Sequence, residues 1–414
     1  MFHIEAKRRI KVAGEADVLV VGGGPAGISA AVSAARQGAR TLLIECAGSL
    51  GGMSTSGLMS HFGGRVESKI FDEIIKRGTG SPIIDPELQK TAYIEMLSEA
   101  GADFLLYTFA CGAIAKEGRV NGIVVESKSG RQAYKAKVTI DASGDGDIAA
   151  MAGVPFSSGR NDGKMQPVTL MFKVAGVDYQ RAVFLSGFED DAETPRGFVQ
   201  TLAKKHLPPP AGHVLLYRTT LPGVVTCNMT NCTEIDGADV KSLTRGEITC
   251  RSQIKPIVEF LREFIPGYEN CYLISSASQL GVRETRHLEG AYTLTAEDIL
   301  AARRFDDWVV RGAHFNFDVH NLTGSGLDAT GAQRHFNQPE PYTIPYGCLL
   351  PKKIDGLLFA GRNISGTHMA HSNYRVMPIC AALGEAAGVA AALAASNGIE
   401  PRKVDVTEIQ RRLA

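Results

Sequence analysis

Gly22, Gly24 and Gly27 stand in Gly-x-Gly-x-x-Gly spacing within "VVGGGPAGISAA". At this spacing the first glycine permits a tight turn, the second lets a pyrophosphate approach the backbone, and the third lets a helix pack closely on a strand. Free N–H groups and the helix dipole then favour the anion. Pro25 and Ala26 complete the loop, and Ala31 keeps the packing close. Glu45 ends the next apolar run. There its carboxylate can accept both ribose hydroxyls of a dinucleotide, and it repels a 2′-phosphate.

Two polar stretches could hold an anion or move a proton. In "GVRETRHLEG", residues 281–290, an extended chain over 276–287 would put Arg283, Thr285 and His287 on one face. Glu284 and Arg286 would take the other. Arg283 could anchor a carboxylate or polarise a carbonyl, and His287 could exchange a proton. An Arg–Glu network bracing a domain interface is the structural alternative. In "NFDVHN", alternation puts Asp318 and His320 on one face, where an acid can orient an imidazole. Cys227 and Cys232 are close enough in sequence for a redox disulfide, or are two reduced cysteines near a strand end. The histidines lack HxxxH and HxH spacing, so no metal site is expected.

The elements that must position these residues are legible from periodicity. Residues 17–22 read as a buried parallel strand, 25–38 as a helix stopped at Gly38, and 41–45 as a second strand, a βαβ unit. Helices are expected over 67–77 and 86–101, the latter opened by Asp85 and Pro86. Strands are expected over 103–109, 112–116, 119–127 and 131–141. Beyond Pro155 the texture changes. Strands over 168–176 and 214–228 precede an amphipathic helix over 244–264, and a further helix is expected from 295 to 312. From Tyr342 the first texture returns, with an apolar strand in "GLLFAGRNIS" and a small-residue helix starting near Pro378. The expected fold is α/β. A Rossmann-like dinucleotide-binding domain is built from 1–155 and 341–414, and 156–340 forms an inserted α+β substrate domain.

Composition narrows the function. With 414 residues the chain suits two domains. Lys+Arg and Asp+Glu are both 44, which gives no support for nucleic acid or an anionic membrane as partner. Apolar stretches such as "AAGVAAALAA" fall short of the roughly 20 residues that span a bilayer. Basic residues near the start run into Gly14, Glu15 and Asp17, so no apolar signal core forms, and a cytoplasmic location is expected. None of the eight cysteines forms CxxC, which argues against a zinc ribbon or an iron–sulfur cluster. Self-association into a homo-oligomer is left open.

Three features favour FAD over NAD as the dinucleotide. The fingerprint lies near the start of a long chain. A second glycine loop, Gly51-Gly52-Met53, follows the ribose strand. Later strands ending at "DASGDGD" and "FAGRNIS" are suited to an extended cofactor. A second fingerprint, which an NAD(P)H-using disulfide reductase would carry, is lacking. The reduced flavin would then be reoxidised by an acceptor outside the chain.

Several stretches together carry a family resemblance: "DVLVVGGGPAGISAA", "GGMSTSGL", "VTIDASGDGDIAAMAG", "LGVRETRHLEGAYTLTAEDI", "DVHN", "YTIPYGCLLPKKIDGLLFAGRNIS" and "RVMPICAALGEAAGVAAALA". The chain resembles FAD-dependent oxidoreductases of the glutathione-reductase-like superfamily. Within it, the chain is similar to a bacterial family akin in its FAD domain to the flavoproteins of fumarate reductase and succinate dehydrogenase. The resemblance implies that Gly51, Gly52 and Met53 pass along the pyrophosphate and ribityl chain, and that Ala110 meets adenine through its backbone. Ser143, Gly144 and Asp145 would lie beside the FAD, and Gly361 at the ribityl chain. Arg362 stands where many relatives have Asp or Glu, which removes a direct carboxylate–ribityl bond. The N-terminus of the helix at Met377 would face the flavin and stabilise its anionic reduced form.

That placement nominates residues near the flavin ring. His368 and His371 lie in "GTHMAHSNYR", just before this helix, and Arg375 could contact the flavin or a substrate anion. His61 could approach the ring or carry a covalent link, and Tyr346 is a further candidate or a packed aromatic. The expected activity is two-electron oxidation or reduction of a small polar organic substrate, with a base or acid and a cationic anchor. Two alternatives are an electron-transfer flavin subunit without small-molecule turnover and a thiol–disulfide oxidoreductase using Cys227 and Cys232.

Overall fold

The computed structural model describes residues 9–328 and 340–414. Strand β1 (Lys11–Val21) runs into α1 (Pro25–Arg36) and β2 (Thr41–Ile44). Then come β3 (Arg65–Glu67), α2 (Lys69–Arg77) and α3 (Pro86–Ala100). Asp85 opens α3 by accepting the N–H groups of Glu87 and Leu88, and Gly101, at φ 72°, closes it. Strands β4 (Asp103–Leu105), β5 (Phe109–Lys116), β6 (Arg119–Ser127) and β7 (Gly130–Asp141) lead to α4 (Asp147–Met151).

The first sheet has the order β4-β2-β1-β7-β6-β5. Strands β4, β2, β1 and β7 run parallel, while β6 and β5 turn back antiparallel. Val18, Leu19 and Val20 are buried on both faces, which is why β1 reads as an unbroken apolar run.

The middle of the chain supplies β8 (Phe156–Ser158), β9 (Phe172–Ala175), a small hairpin of β10 (Glu193–Thr194) and β11 (Gly197–Phe198), and α5 (Val199–His206). Next are β12 (Leu216–Arg218), β13 (Val225–Cys227), α6 (Val240–Phe264) and β14 (Tyr272–Ser276). A four-stranded antiparallel sheet, β12-β13-β9-β14, packs with α6 around a second core running from Val168 to Leu280. The expected single strand over 214–228 is a hairpin. Thr219 ties its turn by donating to the carbonyls of Leu221 and Val224.

The last third holds β15 (Arg286–Leu288), α7 (Ala296–Leu300), β16 (Trp308–His314), β17 (Tyr342–Pro345), β18 (Leu357–Phe359), α8 (His368–Tyr374), α9 (Met377–Asn397) and α10 (Val406–Leu413). Strand β18 adds to β7 in the first sheet. The helix expected over 295–312 ends at Leu300. Ala302 adopts φ 47° just beyond it, and the β-prone Trp308-Val309-Val310 run opens β16, which pairs with β17 through Trp308, Val310 and Ala313 and with β3 through Arg311 and His314. Leu288, Leu294, Ile299, Val309, Val310 and Phe317 join the first core. The second core is therefore narrower than the expected 156–340 insertion.

Helix α9 is long and apolar enough to cross a membrane by length and composition, longer than the apolar stretch read from sequence. In the fold, 94% of its apolar window is buried inside the protein. It lies against α1 at backbone contact. A Cβ on Gly384 would fall 2.0 Å from the Ala26 carbonyl oxygen, and one on Gly388 would fall 2.3 Å from that of Ala30.

Candidate functional site

The C-terminal ends of β1, β2, β7 and β18 open onto one cleft with about 1170 Å³ of non-protein space, part of it open to solvent. This is where a parallel α/β sheet binds ligands. Gly22, at φ 104°, presses against β7, and a Cβ there would meet the Ala142 carbonyl oxygen at 2.3 Å. A Cβ on Gly27 would meet the Gly22 oxygen at 1.7 Å. Gly24 differs, because no protein atom lies within 4 Å of where its Cβ would be. Its bareness faces the cleft, at the N-terminus of α1. Packing thus accounts for two of the glycines, while the third leaves the cleft open at the N-terminus of α1.

Glu45 lines the cleft and also builds it. One carboxylate oxygen accepts the Gly23 N–H at 2.6 Å, and the other accepts the Ala47 N–H at 2.7 Å. The acid read as a ribose acceptor therefore also pins the phosphate loop. Ala110, Pro25, Ala26, Gly52 and Met53 line the cleft as well. Gly51 sits one layer back, donating to the Gly23 carbonyl at 2.7 Å.

Asp141 holds the loop after β7. It is fully buried, and burial raises its carboxyl to about 6 despite the Ser143 hydroxyl and the Ala149 N–H that it accepts. Ser143 and Gly144 border the cleft, but the Ser143 hydroxyl is committed to Asp141. Arg362 and Asp145 pair with each other instead of reaching into the cleft as two separate polar groups. Arg362 also donates to the carbonyls of Gly144 and Val282, and Thr285 donates to Asp145 at 2.7 Å. The arginine found where relatives carry an acid is thus a clamp between two loops. At the far end, Gly361, Arg375 and Met377 line the cleft beside the start of α9.

The stretch 281–290 does not alternate as expected. Only Arg286–Leu288 is strand, and the chain turns ahead of it. Glu284 and His287, expected on opposite faces, meet at 2.8 Å. The same carboxylate oxygen accepts His368 Nδ1 at 2.6 Å, and the other accepts the Gln166 N–H at 3.0 Å. Burial would raise the Glu284 carboxyl, but the two imidazoles hold it well below the usual range. Glu284, His287 and His368 could in principle surround a metal ion. Against that, His287 Nδ1 is buried without an acceptor, and a metal on Nε2 would leave Nδ1–H unpaired. The His371 ring packs edge-on to His287 with centroids 4.8 Å apart, and burial lowers its pKa strongly.

Arg283 points elsewhere. Its Nη1 donates to the Pro167 carbonyl at 2.6 Å, and the guanidinium faces a second cavity beside Asn228, His213, His320 and Phe188. Arg375 links this cavity to the cofactor cleft. It lines the cleft and donates to Asp318 Oδ2 at 2.8 Å, while Asp318 Oδ1 stands 3.4 Å from His320 Nε2. Burial raises the Asp318 carboxyl, but His320 and the two guanidiniums hold it well below its ordinary value. Burial and Arg283 push His320 down to about 4, so it is neutral at neutral pH.

Other candidates are placed outside the chemistry. His61 does not line the cleft. It bonds Ser60 at 2.9 Å and packs edge-on to Tyr217. Tyr346 is buried and donates to the Pro401 carbonyl. Cys227 and Cys232 are both free and buried in the second core, and burial pushes the Cys227 thiol well above its usual value, the opposite of a reactive thiolate. Sequence reasoning missed His213, Asn228 and Gln166, single polar residues brought in from separate loops with no spacing to mark them.

Known proteins share parts of this chain. A thiamine thiazole synthase of Methanococcus vannielii is 34% identical over 148 residues, 31% of this chain and 56% of the relative. A digeranylgeranylglycerophospholipid reductase of Methanopyrus kandleri is 30% identical over 191 residues, 40% of this chain and 46% of the relative. The chain thus spans about half the length of the curated relatives it matches. Among solved structures, a geranylgeranyl bacteriochlorophyll reductase-like protein from Thermoplasma acidophilum aligns over 96% of this chain and 82% of its own, at 15% identity and a TM-score of 0.48. A flavin-dependent brominase aligns over the same shares at 11% identity and a TM-score of 0.49. The family model for FAD dependent oxidoreductases matches residues 17–413, nearly the whole chain, so this α/β protein with its glycine-lined cleft belongs to that family and takes FAD as its cofactor.

Proposed function

We propose that this enzyme oxidises or reduces a small polar organic molecule where the cofactor cleft meets the second core. Bound FAD supplies a two-electron acceptor or donor that works by hydride transfer. The observation that carries the reading is Arg375. It lines the cleft beside Met377 and reaches Asp318, which faces His320. A cation, a fixed acid and a neutral imidazole therefore stand together at one end of the cofactor site.

In this reading Gly24 and the first turn of α1 bind the pyrophosphate, Glu45 orients the ribose, and the start of α9 faces the flavin ring. His320, neutral and held by Asp318, takes or returns the substrate proton. Glu284 fixes the orientation of His287 and His368. The segment 156–340 acts as the substrate-side domain, and the electron partner is an acceptor or donor outside the chain. The closer likeness to glutathione-reductase-like and fumarate-reductase flavoproteins, a bacterial source and a cytoplasmic site complete the proposal, supported by the quoted motifs.

The test is spectroscopic. Purified protein, reconstituted with FAD, should show flavin bands near roughly 370 and 450 nm that small polar substrates bleach anaerobically. Failure to retain FAD refutes the reading. Bleaching by a protein partner alone, with no small molecule active, makes the chain an electron-transfer subunit instead.

A further inference from the structure

The sheet of the second core has two edges, and they are finished differently. At β12, Leu216 and Tyr217 are buried and the Leu216 N–H donates to the Leu185 carbonyl, so the chain covers its own edge. At the other edge, no strand among the described residues pairs with the outer side of β14. Three consecutive apolar residues lie open there: Tyr272 is 53% exposed, Leu273 47% and Ile274 45%. Successive side chains of a strand point to opposite faces, so neither face of this edge is covered. Open edges are ordinarily guarded by charged residues, by proline or by a covering element. Residues 272–276 contain no charge and no proline. Their one guard is a register shift that takes Ile274 out of the ladder with β9 and leaves it without a cross-strand neighbour there.

Helix α6 lies along this edge. Arg251 donates to the Ser276 hydroxyl at 3.0 Å and to the Ala277 carbonyl at 3.3 Å, while Arg262 donates to the Cys271 carbonyl at 2.6 Å. The helix therefore runs antiparallel to β14, and the stretch from Lys255 to Glu259 stands beside Leu273 and Ile274. Arg251, Lys255, Glu259 and Arg262 follow one another at spacings of four, four and three, so they share the stripe that faces the edge. Lys255 and Glu259 are exposed and pair at 3.9 Å, a contact worth little within one helix. Their order matters more. Turned about a two-fold axis, Lys255 comes opposite Glu259 of a second copy, and Glu259 opposite its Lys255.

We propose that this edge docks a second copy of the chain. Strand β14 of one protomer pairs antiparallel with β14 of the other about a two-fold axis near Ile274. The two four-stranded sheets become one of eight strands, with the two α6 helices side by side. The apolar residues take the centre of the contact and the Lys–Glu pairs its rim. Such an interface is isologous and closes on itself. Because β12 is covered, no free edge remains in the joined sheet, and the assembly stops at two.

The test is sedimentation equilibrium of the FAD-loaded protein from micromolar to hundred-micromolar concentration, with circular dichroism melting to check that each variant folds. Twice the chain mass is expected at the upper end, with no larger species. Ile274→Lys replaces an exposed side chain, so it should keep the fold. It should weaken the dimer by about 30-fold or more, because the axis sets two lysines against each other. Lys255→Glu should weaken it by about 5- to 30-fold by facing acid with acid. Lys255→Glu combined with Glu259→Lys should restore it. A chain that stays monomeric, or that forms larger species, overturns the proposal. So does a dimer that Ile274→Lys leaves intact. If that variant does not fold, the charge pair decides: a dimer unmoved by Lys255→Glu, or not regained in the double variant, overturns it.

Discussion

Replacing Gly24 with alanine separates the protein's use of that residue from the cofactor's. The backbone there is extended, with φ −76° and ψ −178°, which alanine adopts freely. The new methyl group meets no protein atom within 4 Å. Gly24 is the N-cap of α1, where alanine costs about 1 kcal/mol or less. Reduced freedom of the unfolded chain returns about 0.4–1 kcal/mol. The two nearly cancel, so the apoprotein's thermal midpoint should move by less than about 2 °C. The methyl group does, however, stand where the pyrophosphate must approach. Crowding of about 1–3 kcal/mol weakens FAD by about 5- to 150-fold. The assay is flavin fluorescence titration of deflavinated protein, with circular dichroism melting alongside. Gly22→Ala is the contrast, because its methyl would strike the Ala142 carbonyl and lower both stability and FAD binding. FAD affinity unchanged in Gly24→Ala, or a midpoint falling as far as in Gly22→Ala, refutes the assignment of Gly24 to the phosphate.

Glu284→Gln should destabilise the fold by about 1–3 kcal/mol in urea, because an amide can offer its oxygen to the Gln166 N–H or to the two imidazoles but not to both. His320 titrates at about 4 in the fold against 6.5 outside it. The unfolded chain therefore binds more protons in that window, and stability present above pH 6.5 is lost as pH falls towards 4, by about 3 kcal/mol at most. Urea midpoints from pH 7.5 to 4.5 should show this slope, and His320→Gln should make it shallower, with His213 and His371, also lowered by burial, keeping part of it. Arg362→Ala and Asp145→Asn should each cost about 3 kcal/mol, and the double variant clearly less than their sum, since both break the same part-buried pair. Cys227→Ser and Cys232→Ser should leave flavin reduction unchanged, which a rapid-mixing trace would check.

The βαβ start was legible because local rules agree there. A strand buried on both faces must be apolar throughout, and the glycines obey packing and phosphate at once. Sequence periodicity failed at 295–312 because residues 296–300 do form a helix, and only pairing with β3 and β17 makes Trp308–His314 a strand. It misjudged Glu284 for a related reason. Alternation presumes a strand, and here the strand begins only at Arg286, where Ser158 pairs with it. Asp318 and His320 were readable together because only Val319 lies between them on one segment. His213, Asn228 and Gln166 carry no such signal: the first two line the second cavity and Gln166 meets Glu284 and the His320 N–H, each from its own loop.

The bare contact between α1 and α9 has a consequence for how the protein is made. Residues 25–36 leave the ribosome about 340 residues ahead of their partner helix, residues 377–397. Until then the apolar side of α1 that Gly384 and Gly388 will cover has no partner, and the two ends of the cofactor cleft have no common wall. The nascent chain must therefore hold its nucleotide loop open until α9 emerges, while the middle core can close first. Stalled or C-terminally shortened chains should emerge without flavin, however intact their opening glycines.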